Sequence, residues 1–322
     1  MNTSVLIARK LTVGYGQHIL FQDLDLRLEK GKLVCFMGPN GVGKSSLIRT
    51  LAGLQKATSG NVSLLSEGEP HQQLAVVLTD RIVGSNITAG ELISMGRYPY
   101  LNWAAQLDEA DKAAVSSAVD MVHLSALLNK DINELSDGQL QMAMIARALV
   151  QDTPLIMMDE PTAHLDLNNR VEIMKILVQL TRTMNKAILV ATHELDLALQ
   201  TADEIWLAGN NKSILTGIPE DLVLNGAFDD IFRFKGFDLR TGKVQHEIKH
   251  PINIQVIGEG HELLWTRNAL ERNGFAVCDE RTSHRVTINV FSDSTQWVVD
   301  DSVTFSSIKG VLDHFAHTVH IK

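Results

Sequence analysis

Residues 38–45 read GPNGVGKS, and they follow directly on the apolar run LVCFM at 33–37. The stretch fits the pattern G-x-x-x-x-G-K-[ST], with a predicted strand before it and a predicted helix over 46–51 after it. Glycines allow the backbone N–H groups of such a loop to converge on an anion, because no Cβ obstructs the turn. The N-terminus of the following helix adds partial positive charge. The sequence therefore predicts a loop that holds the phosphates of a nucleotide.

The residues of this loop have separate predicted roles. Lys44 is predicted to reach the β- and γ-phosphates, and Ser45 is predicted to ligate Mg²⁺. A chance glycine-rich turn is the alternative, and the flanking strand and helix argue against it. The residues of this stretch predicted to bind the nucleotide are Gly38, Pro39, Asn40, Gly41, Gly43, Lys44, Ser45 and Ser46.

A second apolar run, LIMM at 155–158, ends in two adjacent carboxylates, Asp159 and Glu160. Mg²⁺ prefers hard oxygen ligands, and Asp159, at the exposed end of the predicted strand, supplies one directly or through water. Glu160 points elsewhere and is predicted to polarise the attacking water as the general base. An apolar run that ends in Asp-Glu is a weak indication alone. Together with GPNGVGKS it predicts a P-loop NTPase.

Further motifs resemble those of the ATP-binding cassette (ABC) family. Residues 135–139 read LSDGQ and resemble the family signature LSGGQ. Tyr15 matches the aromatic residue that stacks on adenine, AHLD at 163–166 looks like the D-loop, and His193 looks like the switch histidine. Taken alone, Tyr15 is a turn or packing residue and His193 a capping or core histidine. The resemblance covers most of residues 1–247, with the motifs in the family's order.

The resemblance implies a homodimer that binds two molecules of ATP, with Mg²⁺, at its interface. A predicted helix begins at Ser136, Gly138 and Gln139, and its N-terminus is a second anion-binding site. The resemblance implies that this end faces the γ-phosphate held by the other copy, and that His193 contacts the same phosphate from its own subunit. The catalytic residues are then predicted to be Lys44, Glu160 and His193.

Two positions depart from the family pattern. Asp137 stands at the second glycine position of the signature, where a carboxylate suits the first turn of a helix and is expected to point away from the γ-phosphate. The glutamine that usually follows the strand at 74–78 is missing. Asp80 is the best positional match and is predicted to ligate Mg²⁺ beside Ser45 and Asp159. The alternative for Asp80 is a surface loop residue.

Residues 88–100 indicate a partner. A short helix is predicted from Thr88 to Gly96, with Pro99 preventing its continuation. GRYPY at 96–100 resembles the importer ATPases for iron-siderophores, haem and cobalamin, in which the helical subdomain contacts a membrane permease. Arg97 and Tyr98 have the composition of interface anchors, and an exposed loop with incidental aromatic side chains is the alternative.

Composition and length set the class of protein. The chain has 322 residues, of which 45% are hydrophobic and 21% charged, which is typical of a globular protein of about two domains. A net charge of -9 argues against a nucleic-acid partner. The sequence contains no run of about 18 apolar residues, which is the length needed to span a bilayer. Two distant cysteines, Cys35 and Cys278, match no metal spacing and indicate reduced thiols.

These observations predict an α/β fold with a P-loop NTPase (ABC ATPase) core. The ATPase domain is predicted over 1–247, with a helical subdomain at about 81–149, and a small α/β domain of unknown role over 248–322. The leading hypothesis is a homodimeric importer ATPase, peripheral on the cytoplasmic face of the inner membrane. Its partners are then permease subunits and, indirectly, a substrate-binding protein. A soluble ABC ATPase in iron–sulphur assembly or in another regulatory or mechanical function is the runner-up, and export stays open.

Overall fold

The computed structural model describes residues 3–78, 86–101, 106–209, 211–233, 237–239, 243–244, 247–250 and 252–320. The chain divides into two compact units, Met1–Arg233 and Phe234–Lys322. The boundary between these two units lies after Arg233, whereas we predicted a domain boundary after residue 247.

The first unit alternates strands and helices. Its strands are β1 (Ser4–Tyr15), β2 (His18–Glu29), β3 (Leu33–Met37), β4 (Ser59–Leu64), β5 (Leu74–Val77), β6 (Leu155–Asp159), β7 (Ala187–Ala191), β8 (Glu204–Ala208) and β9 (Ile214–Gly217). Its helices are α1 (Lys44–Leu51), α2 (Pro70–Gln73), α3 (Ala89–Ser94), α4 (Glu109–Met121), α5 (Asp137–Val150), α6 (Leu167–Met184), α7 (Leu195–Thr201), α8 (Pro219–Leu224) and α9 (Ala227–Phe232). Short 3₁₀ turns cover Met95–Tyr100, Ser125–Leu127 and Ile132–Glu134.

Two sheets form the first unit. The central sheet has the order β5-β6-β7-β3-β8-β9, and all neighbouring strands are parallel except β8 and β9. Every residue of β3, β6 and β7 is buried, as expected for parallel strands covered on both faces. The other sheet is antiparallel, in the order β2-β1-β4. Phe36 of β3 packs against Phe21 of β2 and Trp206 of β8, with ring centroids 6.0 and 6.4 Å apart.

The helical subdomain is built on α3, α4 and α5. Thr88 caps α3, because its side chain accepts a hydrogen bond from the N–H of Glu91. The predicted end of this helix at Gly96 is wrong by two residues, since α3 ends at Ser94 and the 3₁₀ turn Met95–Tyr100 continues through Pro99. A tighter turn tolerates a proline near its end better than an α-helix does, because fewer intrahelical bonds are lost.

The second unit is a smaller α/β domain. Its elements are β10 (Phe237–Asp238), β11 (Lys243–Val244), β12 (Asn253–Ile257), α10 (Gly260–Arg272), β13 (Ala276–Cys278), β14 (His284–Val290), β15 (Thr295–Val299), β16 (Val303–Phe305) and α11 (Ile308–His320). The main sheet has the order β13-β12-β14-β15-β16. Strand β12 is parallel to both of its neighbours, and the remaining pairs are antiparallel. Its core includes Leu270, Phe275 and Phe315.

The predicted fold class is confirmed, including the small α/β domain at the C-terminal end of the sequence. Within the described ranges, no helix is both long and apolar enough to cross a membrane.

Candidate active site

The GPNGVGKS loop leaves the end of β3 and enters α1 at Lys44. Gly41 and Gly43 have φ angles of 78° and 110°, which L side chains rarely adopt. A Cβ at Gly43 would also lie 3.0 Å from Cδ1 of Leu20 and 3.1 Å from a ring carbon of Phe21. Glycine at 43 is therefore required both by the backbone turn and by the packing of the loop on β2.

The Lys44 side chain lies buried beneath this loop. Its Nζ donates to the carbonyl of Gly38 at 3.0 Å and to that of Pro39 at 3.4 Å. Burial lowers the pKa of Lys44, and the nearby charges of Glu160 and Asp159 oppose that shift. The loop therefore holds an ammonium group that carbonyl dipoles and two neighbouring carboxylates stabilise. Such a group is well placed to bind a phosphate.

Asp159 ends β6, and Glu160, the next residue, occupies different surroundings. Asp159 is 2% exposed, so its predicted exposed position is wrong. The reason is that β6 is an inner strand of the parallel sheet, in which every residue from Leu155 to Asp159 is buried. Glu160 turns away with a φ of 48°, and its N–H donates to the carbonyl of Ala191 at 2.9 Å. Such a conformation costs on the order of 1–3 kcal/mol for a residue other than glycine, and it is common at active sites.

His193 lies next to Glu160. Its Nδ1 is 3.5 Å from Oε2 of Glu160, and its Nε2 is 3.4 Å from Oε1 of Glu194. These residues follow β6 and β7, which are neighbouring parallel strands, so their carboxyl ends meet at one edge of the sheet. The imidazole is half exposed and is held between two carboxylates.

Tyr15 lies on α1. Its hydroxyl is 3.0 Å from Oγ of Ser46 and donates to Oε1 of Gln55 at 2.9 Å. The side chain is still 56% exposed, and Ser45 next to its partner is exposed as well. The structure therefore brings Tyr15, Ser45 and Ser46 together and leaves an aromatic surface open beside the loop.

The signature residues bond locally. The N–H of Gln139 donates to Oγ of Ser136 at 3.2 Å, and the N–H of Ser136 donates to Oε1 of Gln139 at 3.1 Å, which caps α5. Gly138 is buried against α6, where an added Cβ would lie 2.9 Å from Nδ2 of Asn169. Asp137 is exposed in the first helical turn. Asp80, the remaining predicted metal ligand, lies outside the described residues.

Arg97 is not the exposed interface anchor that the sequence predicted. Its Nε donates to Oδ1 of Asp111 at 2.6 Å, its Nη1 donates to the carbonyl of Val150, and its guanidinium lies 4.2 Å from the centroid of the Tyr100 ring. The side chain is only 16% exposed. Arg97 therefore joins the elements of the helical subdomain, and Tyr98, at 58% exposure, is the residue of this pair that faces outward.

Two residues near His193 were missed by sequence reasoning. These are Glu194 and Arg170 of α6, neither of which was predicted to belong to the site. Nη1 of Arg170 lies 2.8 and 2.9 Å from the two carboxylate oxygens of Glu194. Arg170 lies on a helix and Glu194 follows a strand 24 positions later, and no pattern in the sequence indicates that the two are in contact.

The donor set fits Mg²⁺ that is bound together with a nucleotide. Mg²⁺ in such sites takes one or two protein oxygens and completes its shell with phosphate oxygens and water. Ser45 offers an exposed hydroxyl, and Asp159 offers a carboxylate at the end of β6. No group of three or more His, Cys, Asp or Glu side chains suited to a metal ion occurs in the described part of the chain. An all-protein metal site is thus not found there.

Known proteins resemble the chain over its first unit and over its second. The sequence profile of the ABC transporter family matches residues 21–163, and that of the iron ABC transporter C-terminal domain matches residues 251–316. The ABC transporter ATP-binding protein MJ0873 of Methanocaldococcus jannaschii is 35% identical, over 72% of this chain and 82% of that protein. The petrobactin import ATP-binding protein FpuD of Bacillus anthracis is 34% identical, over 71% of this chain and 87% of that protein.

Solved structures give the same result for the fold. A chain described as a metal-chelate type ABC transporter in an inward-facing conformation superposes with a TM-score of 0.65 and 26% identity, over 71% of this chain and 89% of that one.

The ferric enterobactin transport ATP-binding protein FepC of Escherichia coli is 29% identical, over 70% of this chain and 86% of that protein. The resemblance to siderophore importer ATPases is thereby confirmed. The chain belongs to the family of ABC transporter ATP-binding proteins, which bind and hydrolyse ATP.

Proposed function

We propose that this chain is the ATP-hydrolysing subunit of an importer for ferric siderophores. The observation that carries the proposal is the 3.5 Å approach of His193 to Glu160, at the strand ends beside the Lys44 loop. The names of the relatives FpuD and FepC support the cargo, because both refer to siderophores, petrobactin and enterobactin. Haem and cobalamin are the other cargoes of the group that the sequence resembles.

The phosphates of ATP bind in the loop at 38–45. Backbone N–H groups of the loop and the N-terminus of α1 donate to the phosphate oxygens. Lys44 exchanges the carbonyls of Gly38 and Pro39 for the β- and γ-phosphates. Mg²⁺, when bound, would supply positive charge that offsets the negative charge of the phosphates, and Ser45 and Asp159 would hold it, with Asp80 as a third proposed ligand. Tyr15 stacks on the adenine.

Hydrolysis uses the residues at the ends of β6 and β7. Glu160 orients a water molecule and accepts its proton as the oxygen attacks the γ-phosphorus. His193 donates to a γ-phosphate oxygen and stabilises the developing charge. The bond between the γ-phosphorus and the bridging oxygen breaks, and ADP and inorganic phosphate leave.

A second copy of the chain completes each site. Ser136 caps α5 in the single chain, and its hydroxyl, the N–H of Gly138 and Gln139 turn to the γ-phosphate held by the partner. Two ATP molecules are then enclosed between two chains. Asp137 stays exposed and points away from the phosphate.

The permease couples this cycle to transport at the cytoplasmic face of the inner membrane. Tyr98 is exposed on the helical subdomain and is our candidate for a permease contact. A substrate-binding protein delivers the cargo on the other side of the membrane. The second unit is a packing or dimerisation domain in this account.

Uptake of ⁵⁵Fe-loaded siderophores tests the proposal in a strain that lacks the gene. We expect uptake to be lost, restored by the wild-type chain, and not restored by Glu160→Gln. Labelled haem and cobalamin serve as the other cargoes. Wild-type uptake of all three cargoes in the deletion strain would overturn the proposal and favour a soluble ABC ATPase with another role.

A further inference from the structure

Arg170 in the first turn of α6 connects two loops of the active site. Its Nε donates to the carbonyl of Leu165 at 2.6 Å, and its Nη1 donates to both carboxylate oxygens of Glu194 at 2.8 and 2.9 Å. Leu165 belongs to the loop that directly follows Glu160, and Glu194 directly follows His193. The side chains of Arg170 and Glu194 are 32% and 16% exposed, so the ion pair is partly shielded from water.

Glu194 in turn contacts the imidazole. Its Oε1, which accepts from Arg170, lies 3.4 Å from Nε2 of His193. The N–H of Glu194 donates to Oγ1 of Thr192 at 3.0 Å, which fixes the backbone of this turn. The contacts therefore run without interruption from the loop at Leu165, through Arg170 and Glu194, to His193 and Glu160.

We propose that Arg170 and Glu194 are positioning residues for ATP hydrolysis, which hold His193 in the orientation needed at the γ-phosphate. The inference rests on the proposed roles of His193 and Glu160. The Glu194 carboxylate lies 3.4 Å from Nε2 and the Glu160 carboxylate 3.5 Å from Nδ1, so the two contacts together fix the orientation of the ring. Arg170 neutralises Glu194, which otherwise adds a negative charge next to Glu160 and a triphosphate.

The arginine fork suits this position for a geometric reason. Nε and Nη1 lie in one plane and donate to two acceptors that belong to different loops. A lysine ammonium is a compact point charge and does not reproduce this fixed geometry. Arg170→Lys is therefore expected to recover the charge of Arg170 without its full effect on the rate.

The first experiment measures steady-state ATP hydrolysis by the full chain. We expect Arg170→Ala and Glu194→Ala to lower kcat about tenfold to a hundredfold, since small misplacements of catalytic groups have effects of this size. The KM for ATP is expected to change less than about twofold, because neither residue binds the nucleotide. Arg170→Lys is expected to fall between Arg170→Ala and the wild type.

A matched control lies on the same helix. Arg182 also forms an ion pair, with its Nη2 donating to Oδ1 of Asp203 at 2.6 Å, and its side chain is 56% exposed. Arg182→Ala removes an arginine of α6 together with its ion pair to Asp203, but is expected to keep the wild-type kcat. An equal loss of kcat in Arg182→Ala and Arg170→Ala would mean a structural role and overturn the inference.

Two further variants separate the inference from the proposed site. If Glu160→Gln and His193→Ala retain the wild-type kcat, the proposed site itself is wrong. If those two variants lose activity while Arg170→Ala and Glu194→Ala stay within about twofold of the wild-type kcat, only the positioning role is overturned.

Discussion

Gly138 packs so closely on Asn169 that a Cβ at residue 138 would lie 2.9 Å from the amide nitrogen and 3.0 Å from Cγ of that side chain. The buried glycine of the LSDGQ motif is thus required for the contact of α5 with α6 in the single chain. This contact accounts for the glycine without reference to a nucleotide, and it makes a test of stability possible.

Gly138→Ala brings two opposing effects. Replacing glycine by alanine in a helix gains about 1 kcal/mol. Overpacking against Asn169 costs about 1–3 kcal/mol. We expect the variant to be less stable than the wild type by up to about 2 kcal/mol in urea unfolding. In an Asn169→Ala background the same substitution is expected to be stabilising, and an identical effect in both backgrounds would contradict the close contact.

Arg97 and Tyr98 are neighbours in sequence with different predicted effects. Arg97→Leu leaves the Asp111 carboxylate without its guanidinium and is expected to lower the urea midpoint of unfolding. Tyr98→Ala is expected to leave the midpoint unchanged and to lower siderophore uptake, because its side chain is 58% exposed. A normal midpoint for Arg97→Leu would contradict the structural role.

The same ion pair has a predicted pH dependence. The hydrogen bond from Arg97 lowers the pKa of Asp111 below its ordinary value of 3.8. A lowered folded-state pKa contributes stability that is fully present above the ordinary pKa and is lost as the pH falls through the lowered value. The difference between the wild type and Arg97→Leu is therefore expected to be constant from pH 7 to pH 5. A difference that disappears by pH 5 would show that this pair is not its cause.

Thr266 and Trp297 form a buried hydrogen bond in the second unit. Nε1 of Trp297 donates to Oγ1 of Thr266 at 2.8 Å, and Thr266 is fully buried. Thr266→Val keeps the shape but leaves the indole N–H without this acceptor, which is expected to cost about 1–3 kcal/mol in urea unfolding. In a Trp297→Phe background the cost is expected to be much smaller. Equal costs in the two backgrounds would contradict the assignment.

The two cysteines are expected to react at very different rates. Burial, followed by the charge of Asp203, raises the pKa of Cys35 to about 12. At pH 8 only about one in 10⁴ of these thiols is then ionised. Cys278 is half-buried. Iodoacetamide on the native protein is expected to label Cys278 first and Cys35 only after unfolding, as peptide mass spectrometry would show. Equal labelling in the native state would contradict the burial of Cys35.

The sequence predicted those parts of the fold that follow from local patterns. Apolar runs gave β3 with its bounds and β6 to within one residue, and GPNGVGKS predicted a helix that begins two residues earlier than expected, at Lys44. The position of Glu160 after a buried strand was also read directly, because it follows the apolar run at 155–158, whereas His193 was identified through the family resemblance.

Contacts between distant segments were beyond such reasoning. Asp159 is buried because β6 lies inside the central sheet, between β5 and β7. Arg97 faces inward because its carboxylate partner, Asp111, lies on the next helix. The pair of Arg170 and Glu194 joins a helix to a loop, so neither periodicity nor spacing indicates it. Each of these features depends on which segments become neighbours after folding.

The central claim is that two copies of the chain enclose ATP, each contributing Ser136 to the nucleotide of the other. Light scattering coupled to size exclusion tests it with Glu160→Gln, in the presence of Mg²⁺ and saturating ATP. One chain has a mass of 35.5 kDa, so we expect a species of about 71 kDa, twice that mass, which is absent without ATP and in Glu160→Gln with Ser136→Glu added. A mass that stays at 35.5 kDa while ATP is bound would contradict the account.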